Sequence, residues 1–508
     1  MSGLFVFILC AVLLWAGYVF YGRFAEKVYG SSGPKVMPCV AHPDGVDYMP
    51  LPAWKVFLIQ LLNIAGLGPV FGALAGALFG PAALLWIVFG CIFAGAMHDF
   101  LSALMSLEHR GANLPELIGR YLGPVAHWAM RLVCIVLLLL VGVVFTKGPA
   151  GMLHGLMPDL SVTFWCGIIL LYYFLATVLP IDAIIGRVYP IFGALFLFMA
   201  VGLLVTLPFG EHEVLPQTDF FTNMHPQAGL SIWPMIFVTI ACGAISGFHA
   251  TQSPLMVRCL KERRNMRRVF YGAMIVEGLV ALVWATVGLT LRDVLTDYTL
   301  VEQGGKVAAR AIESGSGAVA ASFMQLCLVD PASAVNQACT DYLGSFGAVL
   351  AVIGVVVLPI TSGDTAMRCC RLMLADVVHL DQGPRLKRFA LAIPLFAAVI
   401  FISEIDFTVI WRYFGWSNQM LSCFTLWTIA VLLRRRARWY WMALLPAVFM
   451  TTVCTAYLLS APECAIGLSV QTSTLAGLGV SLLALIAFFR VPRGCESAPA
   501  DEGGADAS

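Results

Sequence analysis

The chain has 508 residues, of which 60% are apolar and 12% charged, with 30 Lys and Arg against 29 Asp and Glu. A soluble domain carries about twice that charge, and a mean hydropathy of +0.87 excludes a water-soluble enzyme. The near-neutral balance also excludes an electrostatic nucleic-acid binder, leaving an all-α polytopic membrane protein whose surroundings are the lipid bilayer.

In chain order, the first apolar run, Leu4 to Phe20, has no basic stretch before it and no Ala-x-Ala-like cleavage site, while Arg23 and Lys27 follow it. It reads as a retained helix with its N-terminus outside, and residues 1–53 as that helix plus a cytoplasmic loop. Five apolar segments follow at 54–80, 81–108, 127–147, 163–180 and 186–209, grouped as 54–209. Five more lie at 232–257, 270–291, 346–363, 389–403 and 407–433 within 210–433, interrupted by an external loop at 292–345. Segments 439–460 and 468–489 complete a C-terminal pair (434–493), and the acidic tail 494–508 is expected to be disordered. About thirteen transmembrane helices result. With residue 1 outside, all but five of the 30 Lys and Arg fall on the cytoplasmic side or its edge, the exceptions being Lys147, Arg292, Lys306, Arg310 and Arg412. That split is what the positive-inside rule requires. It puts a multi-pass protein in a plasma membrane with a cytoplasmic C-terminus.

The fifteen cysteines form no Cys-x-x-Cys pair and read as small hydrophobes. Cys327 and Cys339 share the external loop, where a disulfide is one reading; the odd Cys464 lies outside too, and spacing alone does not decide it.

Two segments are interrupted. The second contains Asn63-Ile64-Ala65-Gly66-Leu67-Gly68-Pro69, and the seventh contains Ala241-Cys242-Gly243-Ala244-Ile245-Ser246-Gly247-Phe248-His249. Glycine weakens a helix and proline removes a donor. The breaks occupy the first and sixth places of ten segments, giving five plus five in opposite orientation, the sequence mark of a secondary transporter's binding site. Gly68, Gly72, Gly76 and Gly80 also form a small-residue stripe, as do Gly243 and Gly247, and such stripes serve close helix packing.

Ionisable groups at membrane depth are costly. Cys91, Gly95, His98, Asp99, Ser102 and Ser106 share one helical stripe that should face protein or a water-filled path, unless Asp99 is a capped structural carboxylate. His249 is either a site residue or a packed neutral imidazole, and Glu277 reads as structurally partnered. Pro359-Ile360-Thr361-Ser362-Gly363-Asp364-Thr365 closes the ninth segment. Its hydroxyls and carboxylate suit a hard cation, while Gly363 could cap the helix end. Glu404 and Asp406 read as an outer helix boundary, and Trp411-Arg412-Tyr413-Phe414-Gly415-Trp416 as an interfacial aromatic belt.

Taken together, Asp44-Gly45-Val46-Asp47-Tyr48, the Ala65–Pro69 break, Ala94-Gly95-Ala96-Met97-His98-Asp99-Phe100, the Ala241–His249 break, Leu358–Thr365 and Trp411–Gln419 resemble the carbon starvation protein A family of bacterial inner-membrane transporters. The resemblance spans roughly residues 40–430. It implies a leucine-transporter-like inverted repeat and import of pyruvate or small peptides in starved cells. The chain departs from the family in being shorter than its long members, and in carrying His98 where the family has Gln, which bears on substrate choice. The resemblance implies backbone groups from Ala65, Gly66 and Gly68 and side chains of Ser246 and His249, beside Gly247, around the substrate. It also implies that Thr361 and Ser362 stand where this fold commonly holds sodium, facing carbonyls near Ala65 and Gly66.

The reading is therefore a cation-coupled symporter for a small carboxylate, with no cofactor and no catalytic residue. Its coupling ion is H+ through His98, Asp99 or Asp364, or Na+ at Thr361 and Ser362. The proton is favoured because those three side chains are costly in a membrane unless used. An intramembrane protease built on Ser246 and His249, or on an Asp99–Asp364 dyad, is disfavoured by the break itself, and no His-Glu-x-x-His or phosphate loop is present. A channel is the third class, against which the paired breaks argue.

Overall fold

The computed structural model describes residues 2–30, 36–41, 43–45, 47–179, 185–216, 218–227, 229–303, 306–312, 318–405, 407–464 and 466–495. Among the described residues, most of each apolar segment is helical. Among the described residues nine helices are each long and apolar enough to cross a membrane, and ten spans result if Ala53–Ile64 and Gly68–Ala77 count as one. The halves of the second interrupted helix, Ile232–Thr239 and Gly247–Val257, the 17-residue Val162–Val178, and Phe407–Arg435 stand outside that group.

The first interruption follows from its residues. Ala65 leaves helical geometry with ψ 64, and the Gly66 N–H turns back to the Ile64 carbonyl at 2.8 Å. Pro69 then sits in the first turn of Gly68–Ala77, where its missing N–H removes no helical bond. The two halves bend by 55°. In the second interruption Ile240 has ψ 76 and Ser246 is extended, at φ −142 and ψ 125. The two breaks touch. A Cβ added to Gly68 would lie 2.4 Å from the Cys242 Cβ, so this glycine serves close packing and the break at once.

The ninth segment differs from the sequence expectation. Its helix does not end at Gly363 but runs Pro331–Val377, with one non-helical residue at Gly344 (φ 66). Gly363 is an interior residue where a Cβ would meet the Tyr173 hydroxyl at 2.2 Å. Arg368 and Arg371, which look like loop charges, are buried in this helix because Asp47 and backbone carbonyls partner them.

The described part of the stretch 292–345 is structured. It holds an antiparallel ribbon, Tyr298–Gln303 against Lys306–Ala311 with Tyr298 opposite Ala311. It also holds the helix Phe323–Val329, closed by a Ser322–Gln325 capping box. All fifteen cysteines are free. The candidate Cys327–Cys339 disulfide is thus corrected: both are core thiols, buried on different helices. Glu404 caps Arg385–Ser403. Asp406, and all but the first two residues of the 494–508 tail, lie outside the described residues.

Candidate functional site

Two polar clusters lie beside the breaks. The first joins three elements. Asp99, on Ala82–Glu108, takes the Nδ1 of its neighbour His98 at 2.8 Å on one oxygen and the Nδ1 of His249 at 2.9 Å on the other. His249 in turn presents Nε2 to Glu277 Oε2 at 3.5 Å, from the helix Arg263–Thr290. All four side chains are fully buried. A carboxylate accepts only from ring N–H groups, so both Nδ1 atoms carry hydrogen and a neutral ring keeps its lone pair on Nε2. Neither Nε2, nor either oxygen of Glu277, has a hydrogen-bond partner. Cys242 Sγ, a His249 ring nitrogen and a Glu277 oxygen lie within 4.8 Å of one another, a donor set able to hold a metal ion.

Asn418 fixes this break from outside. Its Oδ1 accepts from the Phe248 N–H at 2.7 Å and from the Ser246 hydroxyl at 3.0 Å, capping the second half-helix where Ser246 itself makes no cap bond. Gly247 packs directly on that helix: a Cβ would lie 2.4 Å from the Asn418 carbonyl oxygen and 2.5 Å from the Ser422 nitrogen. Both contacts are backbone and cannot yield cheaply. Gly247→Ala is therefore expected to destabilise the protein by about 1–3 kcal/mol, read as a lowered midpoint in thermal unfolding in detergent; an unchanged midpoint would show that the break relaxes.

The second cluster is built of oxygens. The first interruption leaves the Leu62 carbonyl without its helical donor, because the Gly66 N–H bonds Ile64. Thr361 Oγ1 and Ser362 Oγ reach it at 2.8 and 3.2 Å. The carbonyl that meets the hydroxyls is thus Leu62, one turn earlier than Ala65 and Gly66. Gly66 adjoins the cluster nonetheless, since a Cβ there would lie 3.3 Å from Ser362 Oγ. Two residues on, Asp364 accepts hydrogen bonds from Tyr172 at 2.6 Å and Tyr189 at 2.9 Å. The Tyr189 hydroxyl also lies 3.2 Å from Asn63 Oδ1. Phe145, edge-on to Phe248 at a centroid distance of 6.1 Å, fills the space beside Gly66.

One end of the bundle carries a buried ion-pair cluster. Arg368 Nη1 donates to Asp47 Oδ1 at 2.9 Å, and Arg371 Nη2 lies 3.6 Å from Oδ2. Arg368 also bonds the carbonyls of Ala176 and Leu179. Burial alone would raise the Asp47 carboxyl pKa, but Arg368, Arg371 and Arg258 more than offset it and hold it below the ordinary carboxylate value. Leu51 pairs with Leu260 across the same end. At the other end, a cavity of about 290 Å³ reaches Phe71 and Thr239, one on each interrupted helix, beneath Cys327 and Pro331. A larger apolar cavity, about 500 Å³ between Trp416, Trp427 and Phe488, stands away from both clusters.

Of the residues named from the sequence, His98, Asp99 and His249 come together, as do Thr361, Ser362 and Asp364. Ala65, Gly66, Gly68, Ser246 and Gly247 line the breaks between them. Sequence reasoning missed Asn63, Tyr172, Tyr189 and Asn418, and left Glu277 as a structural partner. Asn63 and Asn418 stand inside stretches already singled out, whereas two tyrosines in apolar helices carry no signal.

A sequence profile described as "Carbon starvation protein CstA" matches residues 2–155 and 149–457. The chain is 24% identical to a Campylobacter jejuni protein named peptide transporter CstA, covering 90% of this chain and 80% of that one. It is likewise 24% identical to the Escherichia coli pyruvate/proton symporter BtsT, covering 90% and 81%. An uncharacterized membrane protein of Haemophilus influenzae is 42% identical over 56% of this chain and 91% of its own length. In fold, the chain is similar to a crystal structure of an Eremococcus coleocola manganese transporter mutant, with TM-score 0.52 and 13% identity over 89% of this chain and 99% of that one.

Proposed function

The chain belongs to the carbon starvation protein CstA family, and from that premise we propose that it imports a small carboxylate such as pyruvate by proton symport. The observation that carries this reading is the meeting of two helix breaks beside two buried polar clusters. Interrupted helices facing one another are the usual site of a secondary transporter. The half-helices Gly68–Ala77 and Gly247–Val257 both begin at the breaks, so their positive dipole ends attract a carboxylate there. Ala65, Gly66, Gly68, Ser246, Gly247 and His249 form its surroundings, and His98 with Asp99 hold His249 in position.

Coupling is assigned to Asp364, a carboxylate held by two tyrosine hydroxyls rather than by an ion pair. A sodium ion among Thr361, Ser362 and the Leu62 carbonyl is the second reading, favoured by the three oxygens gathered where the break frees that carbonyl from its helical donor. The proposed architecture is thirteen crossings with a five-plus-five inverted repeat, N-terminus outside and C-terminus in the cytoplasm of the bacterial inner membrane. A small molecule is the partner and no reaction is catalysed. A short peptide is the alternative substrate, supported by the names of several relatives.

Counterflow in proteoliposomes tests the class and the substrate together. Labelled pyruvate is expected to accumulate transiently against excess internal pyruvate, and His249→Ala should weaken that exchange. Counterflow with di- or tripeptides alone would transfer the reading to peptides. Dissipation without counterflow would make the protein a channel.

A further inference from the structure

We infer that Cys242, His249 and Glu277 form a binding site for a divalent transition-metal ion of the zinc class. The inference rests on the geometry alone and stands whichever substrate the chain carries. Three observations lead to it.

The first is a conflict between lone pairs. Asp99 accepts from His249 Nδ1 at 2.9 Å, so a neutral imidazole turns its lone pair from Nε2 toward Glu277 Oε2, 3.5 Å away. Two electron-rich atoms facing one another in a fully buried site repel. Both Glu277 oxygens and His249 Nε2 lack a hydrogen-bond partner, and an unpaired buried carboxylate is among the costliest groups a protein can hold. A cation between them removes the conflict.

The second is the identity of the donors. A single proton bridges two of them, whereas a metal ion engages Cys242 Sγ as well. That sulfur lies 3.7 Å from the Ser246 hydroxyl and 3.9 Å from Asn418 Nδ2, and within 4.8 Å of the other two donor atoms. Thiolate, imidazole and carboxylate are together the ligands of zinc-class ions, whereas sodium, magnesium and calcium prefer oxygen alone. The buried carboxylates Asp99 and Glu277, with the thiolate that Cys242 forms by losing its proton on binding, favour a divalent over a monovalent ion.

The third is the shell around the donors. A metal-ligating histidine normally gives its other ring N–H to a carboxylate, which fixes the tautomer and aims the lone pair. Asp99 stands in that relation to His249, and His98 steadies Asp99 from its other oxygen. Cys242 lies in the second break, His249 in the first turn after it, and Glu277 on Arg263–Thr290. A bound ion would pin the break to the neighbouring helix, and three protein ligands leave a fourth position open.

The test uses the purified full-length protein without a histidine tag, loaded with Co²⁺ and freed of excess by gel filtration. The expected result is about one Co²⁺ per chain with a thiolate-to-cobalt charge-transfer band. Cys242→Ser, a single-atom change, should abolish that band. Glu277→Gln and His249→Ala should empty the site, and Asp99→Asn should weaken binding about 10–100-fold. Variants are compared only where they elute as the monodisperse parent does. Less than a tenth of an equivalent of Co²⁺ on the parent protein would overturn the inference. So would a charge-transfer band unchanged in Cys242→Ser. Neither result bears on counterflow, which is measured separately.

Discussion

Asp364→Asn should uncouple the transporter: exchange of substrate across the membrane persists, while accumulation driven by an acid exterior is lost. The reason lies in what surrounds the carboxylate. Tyr172 and Tyr189 donate to its two oxygens at 2.6 and 2.9 Å, and its nearest arginine on the same helix, Arg368, is committed to Asp47. An Asn side chain keeps the shape and one acceptor oxygen but can neither take nor release a proton. Each pH unit across the membrane is worth about 1.4 kcal/mol per proton, or roughly tenfold accumulation, so the parent should concentrate substrate and the variant should stop near equal concentrations. If Asp364→Asn still accumulates substrate in response to pH, the coupling proton lies elsewhere. If accumulation instead follows sodium alone and is lost in Thr361→Ala, the oxygen cluster at Leu62 is the ion site.

A second large effect concerns the ion-pair cluster at Asp47. Asp47→Ala leaves Arg368 and Arg371 buried without their carboxylate, and removing one partner of a buried pair costs about 3–5 kcal/mol. The pH dependence has a definite sign. The folded-state pKa of Asp47 lies below its ordinary value, so its contribution is complete above the unfolded pKa of about 3.9 and fades as pH falls through the lower folded value. Thermal unfolding should separate parent and variant widely at neutral pH, with the two midpoints converging in strong acid. A separation that stays constant down to strong acid, or none at neutral pH, would remove Asp47 from this role.

How much of this was legible in the chain depends on the kind of signal. Apolar runs and glycine–proline interruptions are local, and they mark where helices lie and where two of them are broken. His98, Asp99 and His249 stand out because polar groups at membrane depth are expensive. Their contacts are not local: Asp99 and His249 are 150 positions apart, and nothing in either segment fixes which rotamers meet. Asn418 and Glu277 needed the same third dimension. Gly363 misled for a physical reason, since a glycine before Asp and Thr looks like a helix end. Here it admits the Tyr173 ring against the middle of a helix. The burial of Arg368 and Arg371 is not legible either, because the carboxylate that permits it lies far back at Asp47. That the freed carbonyl is Leu62, rather than Ala65 or Gly66, depends on which carbonyl the Gly66 N–H takes in the broken turn.

The measurement that bears most directly on the proposed activity is uptake of labelled pyruvate into proteoliposomes holding only this protein, with a pH gradient imposed and sodium absent. The account predicts accumulation above the external concentration that rises with the gradient and collapses on adding a protonophore. Uptake that only equilibrates, or that ignores the pH gradient, would contradict it.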